Sequence, residues 1–236
     1  PGRQGRRLNF YKFNELLFNT RCGKYLEFKG GTSLSKGWRL IERMSEDIDM
    51  ALNYRFSDFA SPYVPSRVKV ELSCLSMDEP FEMKSITSLI SASFPDEDED
   101  TESVIPVVLP SRTFLEKAFL LNEEFQKEEP RSLRMTRHLY DLEHLMDTEF
   151  GITALSDLEL YSKIVEHRRK FYHVGYADYD KDYPDKIDFF PPERCLSAWK
   201  ADYSEMLEHF VYGEKIPFER LLERISALQS RFRNVK

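Results

Sequence analysis

Cysteine is scarce in this chain: Cys22, Cys74 and Cys195 are the only three in 236 residues. An odd count with no C-x-x-C pair excludes a disulfide framework and points to reduced thiols in a cytoplasm. The five histidines, His138, His144, His167, His173 and His209, show no metal spacing to cysteine or carboxylate partners, which sets zinc aside. Long apolar runs are missing as well. No stretch approaches the ~20 residues of a membrane span, and the first residues do not resemble a secretory signal, so no membrane partner is expected. Positive charge is not in surplus: the formal charge is −7, which argues against a general nucleic-acid coat. The G-x-x-x-x-G-K-S/T loop of P-loop proteins is absent, and no internal repeat is present.

What remains is a foldable composition, 41% hydrophobic and 14% aromatic, with ample material for a core. Six acids cluster between Asp96 and Glu102 and read as a solvated loop. Basic residues concentrate at Arg131, Arg134, Arg137 and His138, and again at His167 to Lys170. Either group could meet a phosphate backbone, with a solvated helix face the simpler reading of the second. The basic, glycine-containing start, Pro1 to Arg7, is left out of the functional reading.

The most informative stretch runs from Phe28 to Leu52. Gly30, Gly31, Thr32 and Ser33 form a glycine turn, with Lys36 close behind, and Leu34, Trp38, Ile41 and Met44 are spaced as one face of a short helix. Free N–H groups and small hydroxyls at a helix start make a phosphate cradle; a plain tight turn is the alternative. In Asp47 to Leu52 the apolar Ile48, Met50 and Leu52 alternate with Asp47, Asp49 and Ala51, which puts both aspartates on one strand face. Two carboxylates that close repel unless a cation lies between them, and magnesium suits such a pair. An exposed, solvated strand face would carry the same letters.

Glu71 lies on a second alternating segment, Arg67 to Ser73, with Val68, Val70 and Leu72 on the opposite face. Placed beside the first strand it would complete a carboxylate trio able to hold two metal ions; otherwise it pairs with Lys69 or Arg67. Lys117 interrupts an apolar helix of Phe114, Leu115, Ala118, Phe119 and Leu121, where a long lysine can also snorkel to water. Asp141 stands four residues after Arg137, the spacing of an ordinary helical ion pair.

Coarse periodicity sets out the architecture. An N-terminal helix at 11–19 and a strand at 25–28 precede the glycine turn; 81–92 and 104–109 read as strands flanking the acidic loop. After Pro110 the pattern becomes helical at 112–127, 132–148, 156–170, 197–212 and 216–232, with 178–194 a long loop. The expected class is α+β: a mixed β-sheet with flanking helices over 1–110, then a helical bundle over 111–236 that completes the site.

The residues from Phe28 to Leu52 resemble the signature of the AbiEii/AbiGii-type nucleotidyltransferase toxins, distant relatives of the DNA polymerase β nucleotidyltransferase superfamily. The resemblance continues through Thr113 to Ala118, Arg134 to Leu142, Ala201 to Met206 and Tyr212 to Glu214. It implies that Gly30, Gly31, Thr32 and Ser33 hold nucleotide phosphates, that Asp47 and Asp49 bind metal, and that Lys117 reaches the phosphates. Asp141 matches the last aspartate of a basic-residue-then-aspartate motif. His138 stands where the family often has an aspartate, so no catalytic role passes to it. The resemblance further implies a Mg2+-dependent enzyme (two ions, Mn2+ as a substitute) acting on a nucleoside triphosphate. The acceptor is expected to be an RNA such as tRNA, in a toxin–antitoxin or phage-defence setting with an antitoxin from a neighbouring gene. Two rivals remain: transfer to a protein or small molecule, and a nucleotide-binding sensor without turnover.

Overall fold

The computed structural model describes residues 17–19, 23, 26–44, 80–87 and 102–235. The segments carrying Asp47, Asp49 and Glu71, the start of the N-terminal helix and most of the acidic run lie outside the described residues. Within them the chain is mixed α/β and mainly helical, with a small antiparallel sheet.

Strand β1 (Phe81–Ile86) pairs with β2 (Ser103–Val108) in a register that sets Phe81 against Val108 and Ile86 against Ser103. Alternation in β2 turns Ile105 and Val107 inward and leaves Val104 exposed. Phe28 joins the far side of β2: its amide donates to the Pro106 carbonyl at 2.8 Å, and the Val108 amide donates to Phe28 at 2.9 Å. The strand expected at 25–28 is thus represented, among the described residues, by a single bridge. Phe28, Ile86, Ile105 and Val107 form a small core of their own, with Trp38 packed against it.

One residue after β2 the chain enters α1 (Pro110–Phe125), with Pro110 in the first helical turn, where a missing N–H does no harm. Then follow α2 (Thr136–Leu145), α3 (Glu149–Ser156), α4 (Leu158–Phe171), α5 (Leu196–His209) and α6 (Phe218–Arg233). The short α3 is absent from the sequence reading. It begins at Thr148, whose hydroxyl accepts from the Gly151 amide, and ends at Asp157, whose carboxylate accepts from Leu160 and caps α4. The main core is aromatic and aliphatic: Phe114, Phe119, Tyr161, Phe189 and Phe232 meet between α1, α4 and α6. The 178–194 connection holds only two short 3-10 turns, as a long loop should.

The helix read over Leu34, Trp38, Ile41 and Met44 stops early. Helical hydrogen bonding ends at Gly37, Arg39 adopts a φ of 54°, and the chain runs on extended through Ile41 to Met44. There it pairs with the segment after α5: the Met44 amide donates to Phe210 at 2.8 Å and the Tyr212 amide to Glu42 at 3.0 Å. Period-two burial explains the change, because Ile41 and Arg43 are buried while Glu42 and Met44 face out.

Candidate functional site

The glycine turn forms as its residues require. Gly30 has a φ of 89°, a conformation costly for any residue with a Cβ, and open space lies where that Cβ would stand. The Ser33 hydroxyl donates to the Gly30 carbonyl at 2.8 Å, and Ser35 donates to Thr32 at 3.2 Å, so these hydroxyls brace the turn. From Ser33 to Gly37 the helix is wound wide, closing with the Trp38 amide on the Ser33 carbonyl at 3.0 Å. Such widened turns are rare and concentrate at functional places. Gly31, Thr32 and Ser33 are buried; Lys36 is half-buried, makes no ion pair among the described residues, and burial pulls its pKa down.

Two contacts fix this turn, one against β2 and one against α1. The Trp38 indole donates to the Val108 carbonyl at 2.9 Å, and Lys29 lies 3.4 Å from Glu116, the residue before Lys117. Burial works to raise the Glu116 pKa, but Lys29, Arg112 and Arg168 overcome it and leave the carboxyl below its ordinary value.

Lys117 does not snorkel. It is buried, and its ammonium lies 2.8 Å from Asp141 on α2. Asp141, fully buried, also accepts two hydrogen bonds from Arg43, Nε to Oδ1 and Nη2 to Oδ2, each 2.6 Å. Burial opposes its ionisation; Arg43 and then Lys117 win, holding the carboxyl well below the usual carboxylate range. Burial lowers the Lys117 pKa, Asp141 resists, and Arg43 and Arg137 push it down further. One carboxylate therefore serves two cations with a third in their field. Sequence reading paired Asp141 with Arg137 by spacing; its hydrogen bonds go to Arg43 and Lys117 instead.

His138 sits in the same environment. Burial drives its pKa well below the ordinary value, with Lys117 and Arg137 adding to the effect, so the ring is neutral; among the described residues its Nδ1 has no hydrogen-bond partner. Arg43 is the residue that sequence reading missed. Its signal was the alternation around Ile41 and Glu42, which puts an arginine on the buried face, where it requires a carboxylate.

The second basic group, His167 to Lys170, is less available than its letters suggest. Arg168 is buried and grips Glu123 through bonds of 2.6 and 2.7 Å, and Arg169 pairs with Asp180. Among the described residues no group of three or more His, Cys, Asp or Glu side chains could hold a metal ion, and Asp47, Asp49 and Glu71 lie outside them. No helix among the described residues is long and apolar enough to cross a membrane.

A family model described as the nucleotidyl transferase AbiEii toxin of a type IV toxin–antitoxin system matches residues 15–61 and 51–224. The chain belongs to that family. AbiEii membership carries nucleotidyltransferase activity, a nucleotide substrate and an antitoxin as partner. No curated protein and no solved structure matches the chain. The AbiEii match spans both the glycine turn and the helices bearing Lys117 and Asp141.

Proposed function

We propose that this AbiEii-family chain is a magnesium-dependent enzyme that moves a nucleoside monophosphate from a nucleoside triphosphate to the 3′ hydroxyl of an RNA such as tRNA. The acceptor oxygen attacks the α-phosphorus, the bond to the β-phosphate oxygen breaks, and pyrophosphate leaves with that electron pair. Glu71 would take the hydroxyl proton or serve as a third metal ligand. Asp47, Asp49 and Glu71 are hard oxygen donors of the kind magnesium prefers, and the ion would supply charge neutralisation at the phosphates. Gly30 to Ser33 would meet the phosphates through backbone N–H groups, with Lys36 beside them.

The observation that carries this reading is Lys117. Its ammonium has three N–H donors, lies buried, and shares the Asp141 carboxylate, the one it meets among the described residues, with Arg43. A phosphate oxygen would satisfy a remaining donor and relieve the crowding of positive charge, in a setting where water does little screening. Lys29 against Glu116 keeps the glycine turn next to the same helix.

The test is transfer of label from α-labelled triphosphates to RNA by the wild type and by Asp47→Ala and Asp49→Ala. Loss of transfer in both variants supports the reading; unchanged transfer overturns it. Label that remains on protein after RNase treatment would move the acceptor from RNA to a protein side chain.

A further inference from the structure

The connection after α4 is held to the helices beside it by side chains, with little burial of its own. Over 178–188 only Tyr179, Asp182 and Ile187 are buried. Asn122 of α1 grips this run at three points. Its amide donates to the Lys181 carbonyl at 3.0 Å and to Asp182 Oδ1 at 2.7 Å, and its oxygen accepts from the Asp188 amide at 2.8 Å. From α4 the Tyr161 hydroxyl donates to the Asp182 carbonyl at 2.6 Å. The 3-10 turn Tyr179–Asp182 therefore lies between the two helices, and both take hold of it at Asp182.

Asp182 is fully buried, and its Oδ2 is enclosed with no hydrogen-bond partner among the described residues. An ionised oxygen there would be an unpaired acceptor in the interior, a costly arrangement. The groups that face Asp182 do not relieve it. From α1 comes Glu123, buried, with Arg168 of α4 bonded to both its oxygens at 2.6 and 2.7 Å. Arg168, the cation in this group, is thus already engaged. Tyr161 from α4 and Tyr179 from the same turn are neutral, and Asp185, further along the run, acts on Tyr161. Two carboxyls so placed share one proton more readily than they both ionise. The proton lets Oδ2 donate to Glu123 and leaves a single negative charge opposite Arg168. Burial and Glu123 accordingly hold the Asp182 carboxyl up at about 8.

We propose that 178–188 is a proton-controlled strap: the proton shared by Asp182 and Glu123 fastens it across α1 and α4, and loss of that proton to solvent lets it lift while the helices stay folded. Its ends suit that motion. Upstream the backbone turns sharply at His173, with a φ of 43°. Downstream the Phe189 and Phe190 amides both donate to Gln229 of α6 at 2.9 Å, which anchors the chain just past the strap.

Hydrogen exchange in the full chain between pH 7 and pH 9, corrected for the intrinsic rise of exchange with pH, tests the strap. The reporter is the Asp188 amide, held by Asn122, and the reference is the Leu228 amide inside α6. The Asp188 amide should be less protected than Leu228 throughout, and its protection should fall about tenfold across that range. Asp182→Asn, which keeps an acceptor for Asn122 and offers Glu123 a permanent donor, should abolish the fall. Asp180→Asn, a neighbour on the exposed side of the same turn, should retain it. A wild type without the fall, the same fall in Asp182→Asn, or its loss in Asp180→Asn overturns the proposal. So does an Asp188 amide as protected as Leu228, because the run then opens only with the whole fold. The 13C resonance of the wild-type Asp182 carboxyl needs no variant: titration near pH 8 is expected, and titration near the ordinary carboxylate value of about 4 overturns the shared proton.

Discussion

Arg43 and Asp141, 98 residues apart, meet through two parallel hydrogen bonds of 2.6 Å inside the protein, and Lys117 completes the contact at 2.8 Å. Removing the carboxylate would take away the anion that Arg43 and Lys117 share inside the protein. Asp141→Asn is therefore expected to destabilise the fold by about 3–5 kcal/mol, read as a lower urea midpoint. Arg43→Lys keeps the charge but loses the fork, and should fall between that variant and the wild type.

The same pair sets an acid limit. Asp141 titrates lower in the folded chain than in the unfolded one, so its stabilisation is present above pH ~4 and drains away as pH falls through the depressed folded value. Denaturation midpoints measured from pH 6 down to pH 3 should fall more steeply for the wild type than for Asp141→Asn.

Asp182 behaves in the opposite sense. Burial and the neighbouring Glu123 push its carboxyl up to about 8, while Asn122, which donates to it at 2.7 Å, and Arg168 resist. A raised folded value means stability that is full below pH ~4 and is lost as pH rises through about 8. Asp182→Asn keeps an acceptor for Asn122 and cannot ionise. It should be more stable than the wild type at pH 8.5 by about 1–3 kcal/mol and should flatten the pH dependence across that window.

Arg168 looks like part of a phosphate-binding stripe and is a buried structural cation. Arg168→Met leaves Glu123 buried without its partner and should cost about 3–5 kcal/mol. Lys170→Ala, on the exposed side of the same helix, should stay within about 0.5 kcal/mol of the wild type. Chemical denaturation of the two variants side by side checks the contrast.

Gly213 touches the extended segment that carries Arg43, and a Cβ there would overlap the Cβ and carboxylate of Glu42. Gly213→Ala should push apart the pairing of 42–44 with 210–213 and lower stability by about 1–3 kcal/mol. Hydrogen exchange at the Met44 and Tyr212 amides would report the loss locally.

The helical half was legible in the sequence because its apolar residues repeat at the helical period over long runs, as in Phe114, Leu115, Ala118 and Leu121. The hairpin was legible from β2, where the buried Ile105 and Val107 alternate with the exposed Val104 and the half-buried Pro106. The extended run at 41–44 was not, because Leu34, Trp38, Ile41 and Met44 satisfy a helical spacing by chance. The partner that decides their conformation lies near residue 211. Lys117 and Asp141 were reached through family resemblance, and nothing local in the sequence announced that they touch. Arg43 was missed along with that extended run, and its partner Asp141 lies 98 residues away, beyond what residue spacing reports.

Parallel reactions with α-labelled and γ-labelled triphosphates, magnesium and total RNA would decide whether the chain performs nucleotidyl transfer. Nucleotidyl transfer puts α-label in an RNA band and releases γ-label in pyrophosphate, and neither should occur with Lys117→Ala. γ-Label in the acceptor, or no transfer from a folded wild type that binds triphosphate, would contradict it.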